Sequence, residues 1–406
     1  MHPLLALALL AVAGLAATRV HWPRLEPRLR RDAALAPGLP LVLIGLVLGP
    51  GISLLDQAAV HTLTPVTALA VGCLGAALGA RLEWRLVKRV PRGVWILCGV
   101  QALAILAAVG ASAWAVTRAV PALRAAWTPI LPAGLTLGAV AVVSGPAAVA
   151  RAAQATGARR PMVRAFDLAA TLDAIFGVLA FAVIVGVSRP RDPAAGVALG
   201  RAAWLAMTLG SGVLVGMAFL SVTRLRPVAD ELSFALLGAV LFGAGAAYAA
   251  GSSPLLVCAI AAALIVNLAP QRRGVGARLA SWEHPATTGL FIMMGALLVL
   301  PTPWILPAAL GLATLRVTVR WAVVRYGRSP LEAVRLPAQL GLATTAQGGT
   351  ALAIAMSFFL IYPGAGALVT TVVVGVLVAQ LAAAPLLARS LGVPTLTAPQ
   401  PAAELS

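Results

Sequence analysis

The chain is poor in charge and poorest in acid. Only 10 % of its 406 residues are charged, with 12 Asp and Glu against 30 Lys and Arg. Lys88 is the only lysine. There are three cysteines, four histidines and three tyrosines. Each scarcity excludes something. A soluble domain needs about 25 % charged residues to hold its surface in water. A chain that is 61 % hydrophobic lacks that surface, and it is too apolar to be disordered. Cys73, Cys98 and Cys258 lie in apolar stretches without C-x-x-C spacing, so they form neither a disulfide framework nor a metal knuckle. His2, His21, His61 and His284 all fall outside the span centres, which leaves haem or zinc without ligands. No cofactor is expected. The phosphate loop G-x-x-x-x-G-K-[ST] is absent, which excludes an ATP-driven pump. No Ser/His pair, H-E-x-x-H or paired-Asp set lies mid-span, so the chain is not expected to be an enzyme.

Long apolar runs fill the space. A membrane helix needs about 20 mostly apolar residues. Such runs occur at 2–20, 38–55, 60–80, 93–117, 128–150, 162–187, 197–221, 231–250, 253–268, 285–300, 303–324, 335–361 and 364–388. The fold class expected is an all-α polytopic membrane protein of about thirteen transmembrane helices. The 39 Gly and 29 Pro fit that reading, since both are common in membrane helices.

The net charge of +18 would suggest a nucleic-acid partner in a soluble protein. Here its distribution argues otherwise. Arg19, Arg24, Arg28, Arg30 and Arg31 follow the first span; Arg81, Arg85, Lys88, Arg89 and Arg92 follow the third. Arg151, Arg159, Arg160 and Arg164 follow the fifth, and the remaining odd-numbered connections are also basic. The even-numbered connections carry only Arg118, Arg124, Arg189, Arg191 and Arg201. Basic residues mark the cytoplasmic side. The expected topology is therefore N-terminus outside and C-terminus cytoplasmic, with no nucleic-acid partner. The first span has no Lys or Arg before it, which favours an uncleaved helix over a signal peptide. Residues 1–392 form the transmembrane domain and 393–406 a short cytoplasmic tail.

A buried ionisable group in a membrane costs several kcal/mol unless it is paired or hydrated, so it marks function. Of the twelve acids, only Asp167 and Asp173 lie inside a span. Asp173 is near mid-span. Asp167 is about 9 Å nearer the cytoplasmic end by helix rise and lies on another face. Asp230, Glu231 and Glu283 precede helices, where N-capping is the expected role. The basic candidates are Arg316, near the middle of 303–324, and Arg320, one turn on, where it could snorkel to the surface. Two spans carry helix-breaking signals near their centres. One is Ser144-Gly145-Pro146, the other Thr344-Thr345-Ala346-Gln347-Gly348-Gly349. They are the fifth and twelfth spans, seven apart, as two inverted six-helix repeats joined by one extra helix require. Interrupted segments at corresponding places in two halves point to a transporter site.

In order and spacing these segments resemble the cation/proton antiporter superfamily. LPLVLIGLVLGPGISLL, GCLGAALGARLEWRLVKR, VVSGPAAVARAAQATGAR, SSPLLVCAIAAALIVN, TTGLFIMMGALL and LATTAQGGTALAIA carry the likeness. The resemblance implies an inverted-repeat fold, often a homodimer. Spans 4–6 and 11–13 would be the core, spans 1–3 and 8–10 the dimerisation panel, and span 7 a linker, with the core moving like an elevator. It implies that Asp173 binds cation and proton competitively and that Arg316 assists or steadies the broken helices. The sequence departs from the family where an acid is usual: Leu172 and Ala174 flank Asp173, and Ser144-Gly145 stands for Thr-Asp. The function expected is exchange of a monovalent cation, Na⁺ favoured with Li⁺ or K⁺ possible, for H⁺. With one acid the exchange is expected to be electroneutral. Thr171, Ser144 and freed carbonyls around Gly145 and Ala346–Gly348 are candidates to complete an oxygen shell. The alternatives are a sodium-coupled organic-solute symporter on a similar fold and a degenerate, non-transporting family member.

Overall fold

A computed structural model describes residues 38–51, 62–88, 90–156, 158–188, 201–223, 229–269, 272–327 and 340–391. The first span at 2–20, its basic loop and the tail at 393–406 lie outside the described residues. Among the described residues the chain is all helix and loop. Seven helices are long and apolar enough to cross a membrane, and four further apolar helices are shorter.

Among the described residues the main helices are, in chain order, α1 (Gly38–Leu46), α2 (Thr64–Ala80), α3 (Arg92–Ala119), α4 (Ile130–Val142), α5 (Pro146–Ala155) and α6 (Arg160–Ser188), with two short helical turns at Trp84–Val87 and Pro121–Ala126. There follow α7 (Arg201–Val222), α8 (Ala229–Ala249), α9 (Pro254–Leu268), α10 (Arg272–Ser281), α11 (Glu283–Ala296), α12 (Ile305–Gly327), α13 (Leu340–Ala343), α14 (Gly349–Ile361) and α15 (Gly366–Leu391). A short π-helical turn, Val47–Gly51, extends α1.

These elements follow from local chemistry. Pro65 and Pro254 sit in the first turns of α2 and α9, where a missing N–H costs nothing. The span at 128–150 divides into α4 and α5 because Pro146 can start a helix but cannot continue one. Val143 and Gly145 between the two are extended. Gly348, before α14, is extended as well, so the second break repeats the first.

Two expectations are corrected. The basic run at 272–278 is not a loop but the helix α10. Glu283 does not cap α11: the capping position is Trp282, without a side-chain cap bond, and Glu283 lies in the first helical turn. Its carboxylate instead meets Arg81 at 3.0 Å.

Apolar residues face lipid as readily as they face one another, so helices here join by close packing at small residues. Gly75 and Gly79 lay α2 against the backbone of α9 at Leu255 and Ala259. Gly45 and Gly295 do the same between α1 and α11. The group α2, α7, α8 and α9 packs together around Leu236, Val240 and Ile265. α3, α4, α6 and α12 form the neighbouring group, with α14 and α15 completing it.

A methyl group at Gly75 or Gly79 would overlap a backbone carbonyl of α9. Gly75→Ala and Gly79→Ala are each expected to destabilise the protein by about 1–3 kcal/mol, read as a lower Tm in detergent. Gly289→Ala on α11, which points into open space, is expected to leave Tm unchanged.

Candidate functional site

The two breaks cross in the interior. The Gly145 amide donates to the Ala346 carbonyl at 3.0 Å. A side chain at Gly145 would meet the Gly348 backbone nitrogen at 2.6 Å, so the close approach requires glycine. Breaking two helices leaves carbonyls at the ends of α4 and α13 without helical partners. Each such end also carries the negative pole of its half-helix.

Arg316 answers these carbonyls. Its Nε donates to Ala141 O at 2.6 Å, one terminal nitrogen to Thr345 O at 2.7 Å and the other to Val143 O at 3.1 Å. It thereby ties the end of α4 to the segment after α13. Gln347 works in the same sense, donating to Val140 O at 2.7 Å and Val143 O at 3.3 Å. Gln380 on α15 donates in turn to the Gln347 carbonyl at 3.1 Å.

Asp173 is 1 % exposed and faces the same crossing from α6. Arg320 Nη1 approaches its Oδ2 at 2.6 Å. The same nitrogen lies 2.6 Å from Ser144 Oγ, 2.8 Å from Thr344 Oγ1 and 2.9 Å from Thr344 O. Nη2 donates to Val142 O at 2.7 Å. Ser144 Oγ lies within donating distance of both Asp173 Oδ2 (2.9 Å) and Thr344 O (2.7 Å). It carries one proton and can satisfy one of them at a time. Gln101, from α3, donates its Nε2 to both carboxylate oxygens at 3.2 and 3.3 Å.

Several expectations are corrected by this geometry. Of the two basic candidates, Arg320 meets Asp173, while Arg316 steadies the broken helices through hydrogen bonds that all go to backbone carbonyls. Arg320 does not snorkel: it is 0 % exposed. α12 presents both arginines inward one turn apart, and Arg320 is the one that meets the carboxylate. Asp167 is not brought to Asp173. Its side chain is 42 % exposed and pairs with Arg81 at 3.3 Å. The Thr171 hydroxyl donates within its own helix, to Asp167 O at 2.8 Å.

Gln101 was not foreseen, because a census of ionisable groups passes over amides. Its signal was present: a lone amide in the otherwise apolar run 93–117. Gln380 in 364–388 escaped for the same reason.

A cavity of about 390 Å³ leads to the crossing. Gly145, Ala148, Gly348 and Gly349 line its inner end, while Arg81, Arg151 and Glu283 line the outer part. The N-terminal turns of α5 and α14 thus border open space. A second cavity, of about 310 Å³, touches the end of α4 at Val140 and Ala141 beside Arg316 and Gln347.

Removing one partner of a buried ion pair leaves an uncompensated charge, at about 3–5 kcal/mol. Arg320→Leu is expected to lower stability by that order. The double variant Arg320→Leu/Asp173→Leu is expected to recover only part of the loss, because the Val142 and Thr344 carbonyls still lack the donor that Arg320 supplied. Thermal unfolding of the purified variants checks the difference.

No protein-family model matches this chain, and no curated protein matches it. Solved structures do. The sodium proton antiporter MjNhaP1 from Methanocaldococcus jannaschii at pH 8 superposes with a TM-score of 0.68 and 15 % identity, over 95 % of this chain and 100 % of that one. An electron-microscopy map of the same antiporter gives a TM-score of 0.63 and 16 % identity, over 98 % and 100 %. Across nearly its whole length, then, this chain has the fold of a sodium proton antiporter.

Proposed function

We propose that the protein is a secondary active transporter that exchanges a monovalent cation for H⁺ by alternating access. One observation carries the reading: a single buried carboxylate, Asp173, lies where two broken helices cross. A cavity of about 390 Å³ reaches that crossing from one face. The fold shared with MjNhaP1, itself a sodium proton antiporter, supports the same conclusion.

The chemistry follows from the contacts. A hard cation prefers oxygen ligands. Asp173, the Ser144 hydroxyl and the Thr344 carbonyl and hydroxyl supply them once Arg320 Nη1 withdraws. A proton neutralises the same carboxylate. One acid binding either one H⁺ or one monovalent cation carries the same charge in both directions, so the exchange is electroneutral. Na⁺ is the favoured cation, with Li⁺ and K⁺ as alternatives.

The wider assignment belongs to the same proposal. Arg81 and Glu283 border the outer part of the cavity, and the basic connections on that side make it cytoplasmic. The protein then lies in the inner membrane of a bacterium, N-terminus outside. Spans 4–6 and 11–13 form the moving core, span 7 the linker, and spans 1–3 and 8–10 the panel of a homodimer.

A second reading has its own observation. Both oxygens of Asp173 are met by donors from Arg320, Ser144 and Gln101. A structural ion pair in a non-transporting member of the same fold would look the same.

Proteoliposomes with an imposed pH gradient separate the two. Addition of Na⁺, Li⁺ or K⁺ is expected to collapse the gradient with the wild type and not with Asp173→Asn. Clamping the membrane potential with valinomycin and K⁺ is expected to leave the Na⁺-driven rate unchanged. Folded wild type that responds to no cation would overturn the exchanger reading in favour of the structural one.

A further inference from the structure

We propose that Gln101 is the residue that selects the transported ion: its side-chain amide turns to offer Oε1 to a cation held at Asp173. The inference rests on the exchange reading above and adds a ligand from an element that neither broken helix supplies.

The geometry points there for three reasons. First, Gln101 is 4 % exposed, in the interior of α3. A buried amide in a membrane helix is costly unless its polar atoms are used. Second, its Nε2 sits 3.2 and 3.3 Å from the two Asp173 oxygens, almost equidistant, which lays the amide against the open edge of the carboxylate. Of the donors that reach Asp173, Arg320 and Ser144 go to Oδ2, and Gln101 alone also reaches Oδ1. Third, the positions beside Asp173 are Leu172 and Ala174, and the first break carries Ser144-Gly145. Among the described residues, no second carboxylate joins Asp173 in a cluster that could share a cation.

An amide suits this place. Its two ends are an oxygen acceptor and a nitrogen donor on one planar group. Turning the group by half a revolution exchanges a donor to the carboxylate for an acceptor to a cation. The change moves no charge, because the amide is neutral at every working pH. A carboxylate in the same place would bind a cation too, but it would add a charge to the site and couple exchange to the membrane potential.

The reach of Gln101 then sets the size of the ion. On the crossing side Ser144 lies against Asp173 Oδ2, while Gln101 closes the shell from α3. α3 is packed against α4 and α12 around Ile105 and Val109, so the amide cannot retreat freely. A shell closed at a fixed distance discriminates between ions that differ in radius.

The test compares wild type with Gln101→Met, Gln101→Asn and Gln101→Glu in proteoliposomes. The half-saturating concentration and maximal rate are read for Li⁺, Na⁺ and K⁺ separately. Gln101→Met keeps the volume and removes the amide. It is expected to raise the half-saturating concentration of the preferred ion at least tenfold and to flatten the order among the three. Gln101→Asn draws the amide back and is expected to shift the order toward K⁺. Gln101→Glu is expected to bind cations while making exchange sensitive to the clamped potential. Exchange-competent variants that keep the wild-type order and half-saturating concentrations would overturn the assignment and leave the exchange reading intact. A wild type that neither exchanges nor is thermally stabilised by any of the three ions would overturn both.

Discussion

Two arginines one turn apart on α12 hold this structure together at its centre. A helix broken inside a membrane leaves carbonyls with no water to receive them. Two such breaks placed against each other double the problem and bring two negative half-helix poles together. Arg316 and Arg320 resolve it from a single element. Between them they donate to Ala141, Val142, Val143, Thr344 and Thr345 carbonyls. Lysine would not serve, because only the guanidinium spreads several donors in a fixed plane. The cost of burying two cations is met partly by those carbonyls and partly by Asp173. The carboxylate is therefore part of the same electrostatic arrangement as the crossing.

The packing around the crossing serves to keep it in place. α12 reaches the breaks because α3 and α4 leave it a path lined by Ile105, Val109 and Val142. Gln347 and Gln380 form a second row of donors behind Arg316. Glycine at 145 lets the two broken segments touch where a larger residue would hold them apart. At the outer end, Arg81 bridges Asp167 on α6 to Glu283 on α11. That contact is half in water and worth little by itself. Its interest lies in joining two helices that do not otherwise pair closely.

Most of the architecture could be read from residues, because a membrane simplifies the code. Apolar runs mark spans, and Pro146 and Gly348-Gly349 mark the breaks with no rival explanation at mid-span. Arg316, Arg320 and Asp173 stood out because a charge in an apolar run is rare. What stayed hidden was pairing. Position along a helix puts Arg316 nearest the middle, yet rotation about α12 and the reach of the guanidinium give Asp173 to Arg320. Glu283 resembles a cap until the neighbouring helix places Arg81 against it. Gln101 and Gln380 were hidden by the choice of what to count: a neutral amide leaves no mark in a census of charge, although burial makes it nearly as demanding.

The scarcity of acid at the crossing has a consequence for how any ion can be held there. With one carboxylate and two arginines, the site carries an excess of positive charge that only carbonyl dipoles offset. In the exchange proposed above, a cation arriving at Asp173 would meet Arg320 already in the place that suits it, 2.6 Å from Oδ2. Binding would then be a competition between a tethered guanidinium and a free ion for one oxygen. The guanidinium has an anchor when Nη1 leaves: Nη2 donates to Val142 O. Its withdrawal gives up the Nη1 contacts and can keep that one. A site so arranged keeps the carboxylate neutralised whichever partner is present, and that lets a single acid sit in a membrane interior without a second to share the charge.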